Sequence, residues 1–406
     1  IFRLADHLPD ELRDLVVEGA EVNPFYLEEL VKMLVEDGVI VKGEQTWQVH
    51  PERLAQVDVP PTLAGVLQAR LDSLPIEERT VLQQASVVGR QFWDRVVAHI
   101  QAAADGSPQL VPEMLSTLRA REMIYRREGS TFSDSREFTF KHDILREVTY
   151  ESVLKRLRRS YHSLVADWLI SQDRVHSGEH SGLIAQHLLQ ADRKEQAGEF
   201  FLRAGQAALE RYANAEAESS FRKALDLSSD TPEVAACLEG VGKAVDLQGK
   251  TEEAVEALHQ AVDLQDKLGN YNRMAYLYAH LSRVHFNKSS QKAWEACQEG
   301  LKRLEGTPDS PGKARLVAES GRTALFQIRP FKEVNDLCQR AIRMAEKFSK
   351  LEVSADARIT VAVLEMLNNN AQRSKIILEQ VLVLAEENGL LNIAQRAHNN
   401  LGVTLS

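Results

Sequence analysis

The sequence predicts a mainly α-helical chain: an N-terminal part of helices with small β-hairpins, then a long array of stacked helices. Three observations carry this. Gly and Pro are sparse (21 and 12 of 406 residues), while Ala, Leu, Glu and Arg are abundant, a mixture that favours helix. Between residues 62 and 140, helical spacing gives way to short alternating runs around a turn-rich segment. From about residue 200 onward, one helical phrase recurs at nearly constant spacing.

The elements follow in order. Pro9-Asp10-Glu11 opens one helix, and Pro24 sits in the first turn of a second, where its missing N–H costs nothing. Phe25, Leu27, Leu30, Val31, Leu34 and Val35 form an apolar face at helical spacing, and Gly38 stops the helix. Residues 39–41 and 46–49 flank Gly43-Glu44-Gln45 as a small hairpin. Pro51 and the Pro60-Pro61 pair mark a boundary. Helices are expected at 62–71, 77–88 and 113–121, and strands at 123–126 and 137–140 around the turn-rich 128–135. Three helices followed by a two-stranded wing is the winged-helix order. A long helical pattern comes next, its buried face marked by Ile144, Val148, Val153, Leu157, Tyr161, Leu164, Val165, Trp168 and Leu169.

The remainder is repetitive. SSFRKALDL (219–227), EALHQAVDL (256–264), EACQEGLKRL (295–304), DLCQRAIRMA (336–345) and IILEQVLVLA (376–385) align. They make Phe221, Leu258, Cys297, Cys338 and Leu378 equivalent, at spacings of 37, 39, 41 and 40 residues. That lies just above the 34 residues of a tetratricopeptide repeat. Each unit has a preceding helix, such as 234–247 and 274–286. No unit buries its own apolar face, so the units must stack into a superhelix. Residues 392–404 read as a first helix without its second. Cys237, Cys297 and Cys338 are too few and too dispersed for a disulfide framework, and read as small core residues in a reducing compartment.

Composition narrows the function. A formal charge of -10 argues against a chain whose main partner is nucleic acid. No apolar run approaches the length of a membrane span, and no signal or transit peptide is present, so the expected location is cytoplasmic. Both ends read as cuts in a longer protein. No G-x-S-x-G, H-E-x-x-H or Cys–His arrangement marks a catalytic site, and no G-x-x-x-x-G-K-[ST] phosphate loop occurs. His176, His180 and His187 match no zinc spacing. Glu28-Glu29 and Glu252-Glu253 read as solvated helix faces. So does the run Lys155, Arg156, Arg158 and Arg159, with DNA or an acidic segment of the same protein as the alternatives. Tyr271, Tyr278, Arg283 and Trp294 are the candidate partner-binding residues, because aromatic residues and Arg dominate protein-binding hot spots. The partner expected on the repeat groove is a protein, a peptide or a small effector.

Four phrases carry a family resemblance: VNPFYLEELVKML (22–34), VPPTLAGVLQARLDSLPIEERTVLQQASVVGRQF (59–92), FTFKHDILREVTYESVLKRLRRSYHSLVADWL (138–169) and RAGQAALERYANAEAESSFRKAL (203–225). Their order resembles the STAND ATPases, signal-transducing switches with a nucleotide domain, a winged helix and a repeat sensor. Large bacterial members of that family carry a class III adenylate/guanylate cyclase domain or act as transcription activators, and both outputs stay open here. The resemblance implies the end of a lid subdomain at 1–60, a winged helix and linker helix at 61–170, and repeats at 171–406. It implies a regulatory segment that is not itself an enzyme and holds no cofactor. ATP or ADP would bind an absent ATPase domain, itself an intramolecular partner. Pro24 then maps to the lid turn beside adenine. His142, in Lys141-His142-Asp143, maps to the histidine that reaches the β-phosphate of ADP. Val22 replaces the usual Gly, and Lys141 replaces an apolar residue. Without the nucleotide domain, His142 is expected near the surface.

Overall fold

The computed structural model describes residues 24–43, 47–54, 56–57, 59–104, 106–176 and 180–405. The helix expected after Pro9, the position of Val22 and the turn at 44–46 lie outside them. The chain divides into two compact units, residues 1–176 with 186–193, and residues 177–185 with 194–406. Among the described residues, no helix is long and apolar enough to cross a membrane.

In the first unit, α1 (Pro24–Glu36) turns Tyr26, Leu30, Val31, Met33 and Leu34 into a small core. The strands β1 (Ile40–Lys42) and β2 (Trp47–Val49) pair antiparallel, Ile40 opposite Val49, and Val39 and Ile40 join the same core. After the short α2 (Pro51–Leu54), α3 (Leu63–Asp72) is capped by Thr62, whose hydroxyl accepts from the Gly65 N–H at 3.1 Å.

Next come α4 (Ile76–Val88), β3 (Gln91–Trp93), α5 (Asp94–Ala103), α6 (Val111–Ala120), β4 (Ile124–Arg126) and β5 (Glu137–Phe140). The sheet order is β3-β5-β4, antiparallel throughout, with Phe92 opposite Phe138 and their rings stacked at 5.7 Å. The strand β3 and the helix α5 were not among the expected elements. A three-residue strand is too short to show alternation, and its partner lies more than forty residues further on. Glu137, the first residue of the central strand β5, is buried and accepts from Trp93 Nε1 at 3.2 Å, Arg127 Nη1 at 2.5 Å and the Thr131 N–H at 3.1 Å.

The long helix expected after β5 is two helices, α7 (Asp143–Ser152) and α8 (Lys155–His176). Val153 is extended at the break, with ψ near 130°. The break resets the helical phase between α7 and α8, so Ile144 does not share the face of Tyr161, Val165 and Leu169 and is exposed; Leu157, in the first turn of α8, is exposed as well. A further helix, α9 (Ser181–Gln190), follows.

The second unit holds antiparallel helix pairs. They begin with α10 (Lys194–Glu210) and α11 (Asn214–Leu227), then α12 (Thr231–Asp246) and α13 (Thr251–Lys267). The series continues through α14 (Tyr271–Phe286), α15 (Ser290–Arg303), α16 (Pro311–Phe326) and α17 (Phe331–Lys347). It ends with α18 (Leu351–Leu367), α19 (Ala371–Glu387) and α20 (Leu391–Leu405). The fold is a tetratricopeptide-like array. Phe221, Leu258, Cys297, Cys338 and Leu378 are all buried at their equivalent positions. Phe221 fits between Gly205 and Gly240, where an added Cβ would lie 2.7 and 2.5 Å from the ring. The first helices α14, α16, α18 and α20 pack successively on one another, and the second helices fill between them. Burial pushes the Cys237 thiol up to about 11 and the Cys338 thiol up to about 12, so neither is a thiolate at neutral pH.

Candidate functional site

The N-terminus of α1 and the exit of β5, far apart in sequence, meet in the first unit. Pro24 is exposed in the first turn of α1. The next residue, Phe25, meets the His142 ring edge-on at 5.1 Å between centroids. His142 is the N-cap of α7, with φ −132° and ψ 147°, yet its side chain caps no amide. It turns instead toward α1, where Nε2 lies 3.6 Å from Oε1 of Glu29, buried and without a hydrogen-bond partner. The side chain is 19% exposed, so His142 is less open than expected, because Phe25 covers it.

Around that contact lies a cluster of charges that sequence reading did not find. Glu29 was expected on a solvated face. It is 1% exposed, because helical spacing sets it in line with Tyr26 and Met33, both core residues. Arg70 of α3, also 1% exposed, bonds Glu29 through Nη1. Its Nε and Nη2 take the two oxygens of Glu36 at 2.9 and 2.6 Å, and Nη2 also donates to the Arg121 carbonyl at 2.9 Å. Lys141 donates to Glu28, and to Glu29 at 3.2 Å. Lys32 reaches Glu28 at 2.8 Å, Glu29 at 3.4 Å and Glu122 at 2.7 Å.

Three cations therefore face four carboxylates, and the excess is negative. Hydrogen bonds from Lys141 and Lys32 hold the Glu28 carboxyl down at about 2. Burial tends to lower the Lys32 ammonium, but Glu122 and Glu28 hold it above its ordinary value. Burial also lowers His142, and Glu29 on one side works against Lys141 on the other. At neutral pH His142 is neutral, able to donate from one ring nitrogen only.

The candidate partner residues of the repeats do not form one surface. Tyr271 is exposed at the start of α14. Tyr278 is fully buried and is a core residue, not a groove residue. Its hydroxyl donates to Glu299 at 2.8 Å and accepts from Arg303 at 3.0 Å. Trp294 lies on the second helix α15, packed on the neighbouring core with the Arg329 guanidinium 5.7 Å from its ring. Arg283 belongs to a charge cluster on the first helices. Asp356 of α18, 4% exposed, accepts from Arg283 at 3.1 Å, from Arg315 of α16 at 3.0 Å and from Arg396 of α20. Glu319 of α16, also buried, accepts from Arg283 Nε at 3.1 Å and Arg322 Nε at 2.9 Å. A signal for these acids was present in sequence, since Glu319 and Asp356 each sit within a short run of small and apolar residues, LVAESG (316–321) and VSADA (353–357).

No protein-family model matches the sequence, and no curated protein matches it. Solved structures do. One is a STAND protein, a Signal Transduction ATPase with Numerous Domains, with a tetratricopeptide repeat sensor from Pyrococcus horikoshii. It is 12% identical, with a TM-score of 0.42, over 98% of this chain and 60% of that one. This chain thus spans about three fifths of that protein's length. Another is aspartyl phosphate phosphatase F from Bacillus subtilis, at 14% identity and a TM-score of 0.45, over 80% of this chain and 79% of that one. A third is the Rap conjugation gene regulator of plasmid pLS20, in complex with the Phr* peptide. It is 16% identical, with a TM-score of 0.35, over 81% of this chain and 96% of that one. The likeness is one of fold and assigns no residue a role.

Proposed function

We propose that this chain is the regulatory part of a nucleotide-dependent switch. The first unit is the joint to a nucleotide-binding domain and the helical repeats are the sensor. One observation carries the reading. Pro24 and His142, which the STAND resemblance assigns to the adenine and the β-phosphate of a bound nucleotide, lie on segments that meet: Phe25, next to Pro24, packs on the His142 ring. The order α4-β3-α5-α6-β4-β5, with its sheet order, fits a winged helix.

The charges give this joint a mechanism. A phosphate brought to His142 meets Glu29. Two unit charges 4 Å apart at an effective dielectric near 20 repel by about 4 kcal/mol. A hydrogen bond from His142 to phosphate returns roughly 1.5–3 kcal/mol. The histidine alone therefore does not hold a phosphate against Glu29. Lys141 and Lys32 change the balance if they leave Glu28 and Glu29 for the phosphate. On this reading the carboxylates of α1 occupy the cations when nucleotide is absent, and phosphate takes them when it is bound. Binding of a protein or peptide on the first-helix face of the repeats biases the same exchange. The output, nucleotide cyclisation or transcription, belongs to other parts of the protein.

The reading is tested by amide hydrogen exchange on a longer form of the protein that includes its nucleotide-binding domain. Replacing ADP with a non-hydrolysable ATP analogue should change protection in residues 24–36 and 141–152. Equal protection in both nucleotide states contradicts the proposal.

A further inference from the structure

The helix α8 opens Lys155-Arg156-Leu157-Arg158-Arg159, with no acidic residue in its first turn. Four cations at the positive pole of a helix dipole are disfavoured, since that end attracts anions. Their side chains, with Tyr150, His162 and Gln190, line a cavity of about 420 Å³ in the first unit. Among the described residues, neither Lys155 nor Arg156 has a carboxylate within ion-pair distance, and the one pair made by Arg159, to Asp192, is 3.8 Å long and exposed at both ends. The wall of the cavity is therefore strongly positive.

Its floor is fixed, and apart from Arg158 it is neutral. Arg158 is held by the carbonyls of Val153 and Glu151 at 2.7 and 2.9 Å, and its guanidinium lies 4.7 Å from the Tyr150 ring. The Tyr150 hydroxyl is 3.0 Å from His162 Nε2, and His162 Nδ1 is 2.8 Å from His187 Nδ1. His187 also bonds the Val88 backbone. A backbone carbonyl needs a donor, so His187 carries its proton on Nε2 and its Nδ1 is bare. His162 then donates from Nδ1 and accepts on Nε2 from the Tyr150 O–H. Every partner in the relay is satisfied with both imidazoles neutral. Burial, then Arg146 and Arg158, keep His162 down at about 4, in agreement with that state.

We propose that this cavity is an anion site for a phosphate-bearing small molecule, held by Lys155, Arg156 and Arg159 over the Tyr150–His162 floor. Phosphate chemistry matches three cations lining one cavity at a helix start. The proposal is independent of the nucleotide reading of His142.

The test uses the full chain and inorganic pyrophosphate, titrated by calorimetry at constant ionic strength against chloride. Saturable binding is expected. The triple variant Lys155→Gln, Arg156→Gln, Arg159→Gln should weaken it at least tenfold, while Arg211→Gln in the repeats leaves it unchanged. The triple variant should melt no lower than the wild type, because it relieves the charges at the helix start. ADP bound tenfold more tightly than pyrophosphate identifies a nucleotide as the source of the phosphate, and equal affinities identify the phosphate group alone. Absence of saturable binding by both probes, or binding undiminished in the triple variant, overturns the proposal. So does retention of duplex DNA without either small anion.

Discussion

Replacing Arg70 with leucine should lower the stability of the first unit by about 3–5 kcal/mol, the range for removing one partner of a buried ion pair. The side chain holds two carboxylates and a carbonyl at once. Without it Glu36 loses its partner, and Glu29 keeps only Lys141 and Lys32. For a unit of this size the loss corresponds to a melting temperature lower by roughly 10 °C. Calorimetry of Arg70→Leu measures it. Replacing Glu29 and Glu36 by leucine in the same chain should recover most of the loss, because a buried triad exchanged for apolar side chains is often neutral or better. A loss under 1 kcal/mol in the single variant contradicts the description of this cluster as closed and buried.

Asp356→Ala is the corresponding substitution in the repeats. It leaves Arg315 and Arg396 without this carboxylate and leaves Arg283 with Glu319 alone. Arg283 and Arg396 reach solvent, so the expected cost is at the lower end of the buried-pair range, about 3 kcal/mol. Repeat arrays respond locally. Hydrogen exchange should therefore accelerate across α16–α20 and change little in α12 and α13. The same group sets an acid limit. Burial tends to raise Asp356, but Arg315, Arg396 and Arg283 outweigh it and hold the carboxyl below its usual range. Its stabilisation is thus complete above the unfolded value, near 3.9, and is lost as pH falls through the lower folded value. Below about pH 4 the wild-type repeats should weaken more steeply than those of Asp356→Ala. Parallel pH curves contradict this.

The repeats were legible because one period sets them. Cys297 and Cys338 aligned with Phe221, Leu258 and Leu378 in sequence, and all five are core residues. The resemblance put Pro24 and His142 at one nucleotide, but the contact of Phe25 with His142 was not legible, since no local pattern pairs residues more than a hundred positions apart. What sequence reading missed was the polar interior. Glu29 beside Glu28 looks like any acidic pair on a helix, and only the arrival of Arg70 from another helix makes its burial affordable. Tyr271 and Tyr278 lie seven positions apart and so on one helical face, but Tyr278 packs mid-helix in the core while Tyr271 is the first residue of the helix and stays exposed. The strand β3 escaped notice because its ladder with β5 is a tertiary pairing.

The most direct test of the central reading is the ADP affinity of a longer form of the protein with its nucleotide-binding domain, comparing wild type with His142→Ala. If His142 donates to the bound phosphate, its loss removes roughly 1.5–3 kcal/mol. ADP should then bind about tenfold or more weakly. An unchanged affinity contradicts the account, and leaves His142 as a helix-start residue that packs on Phe25.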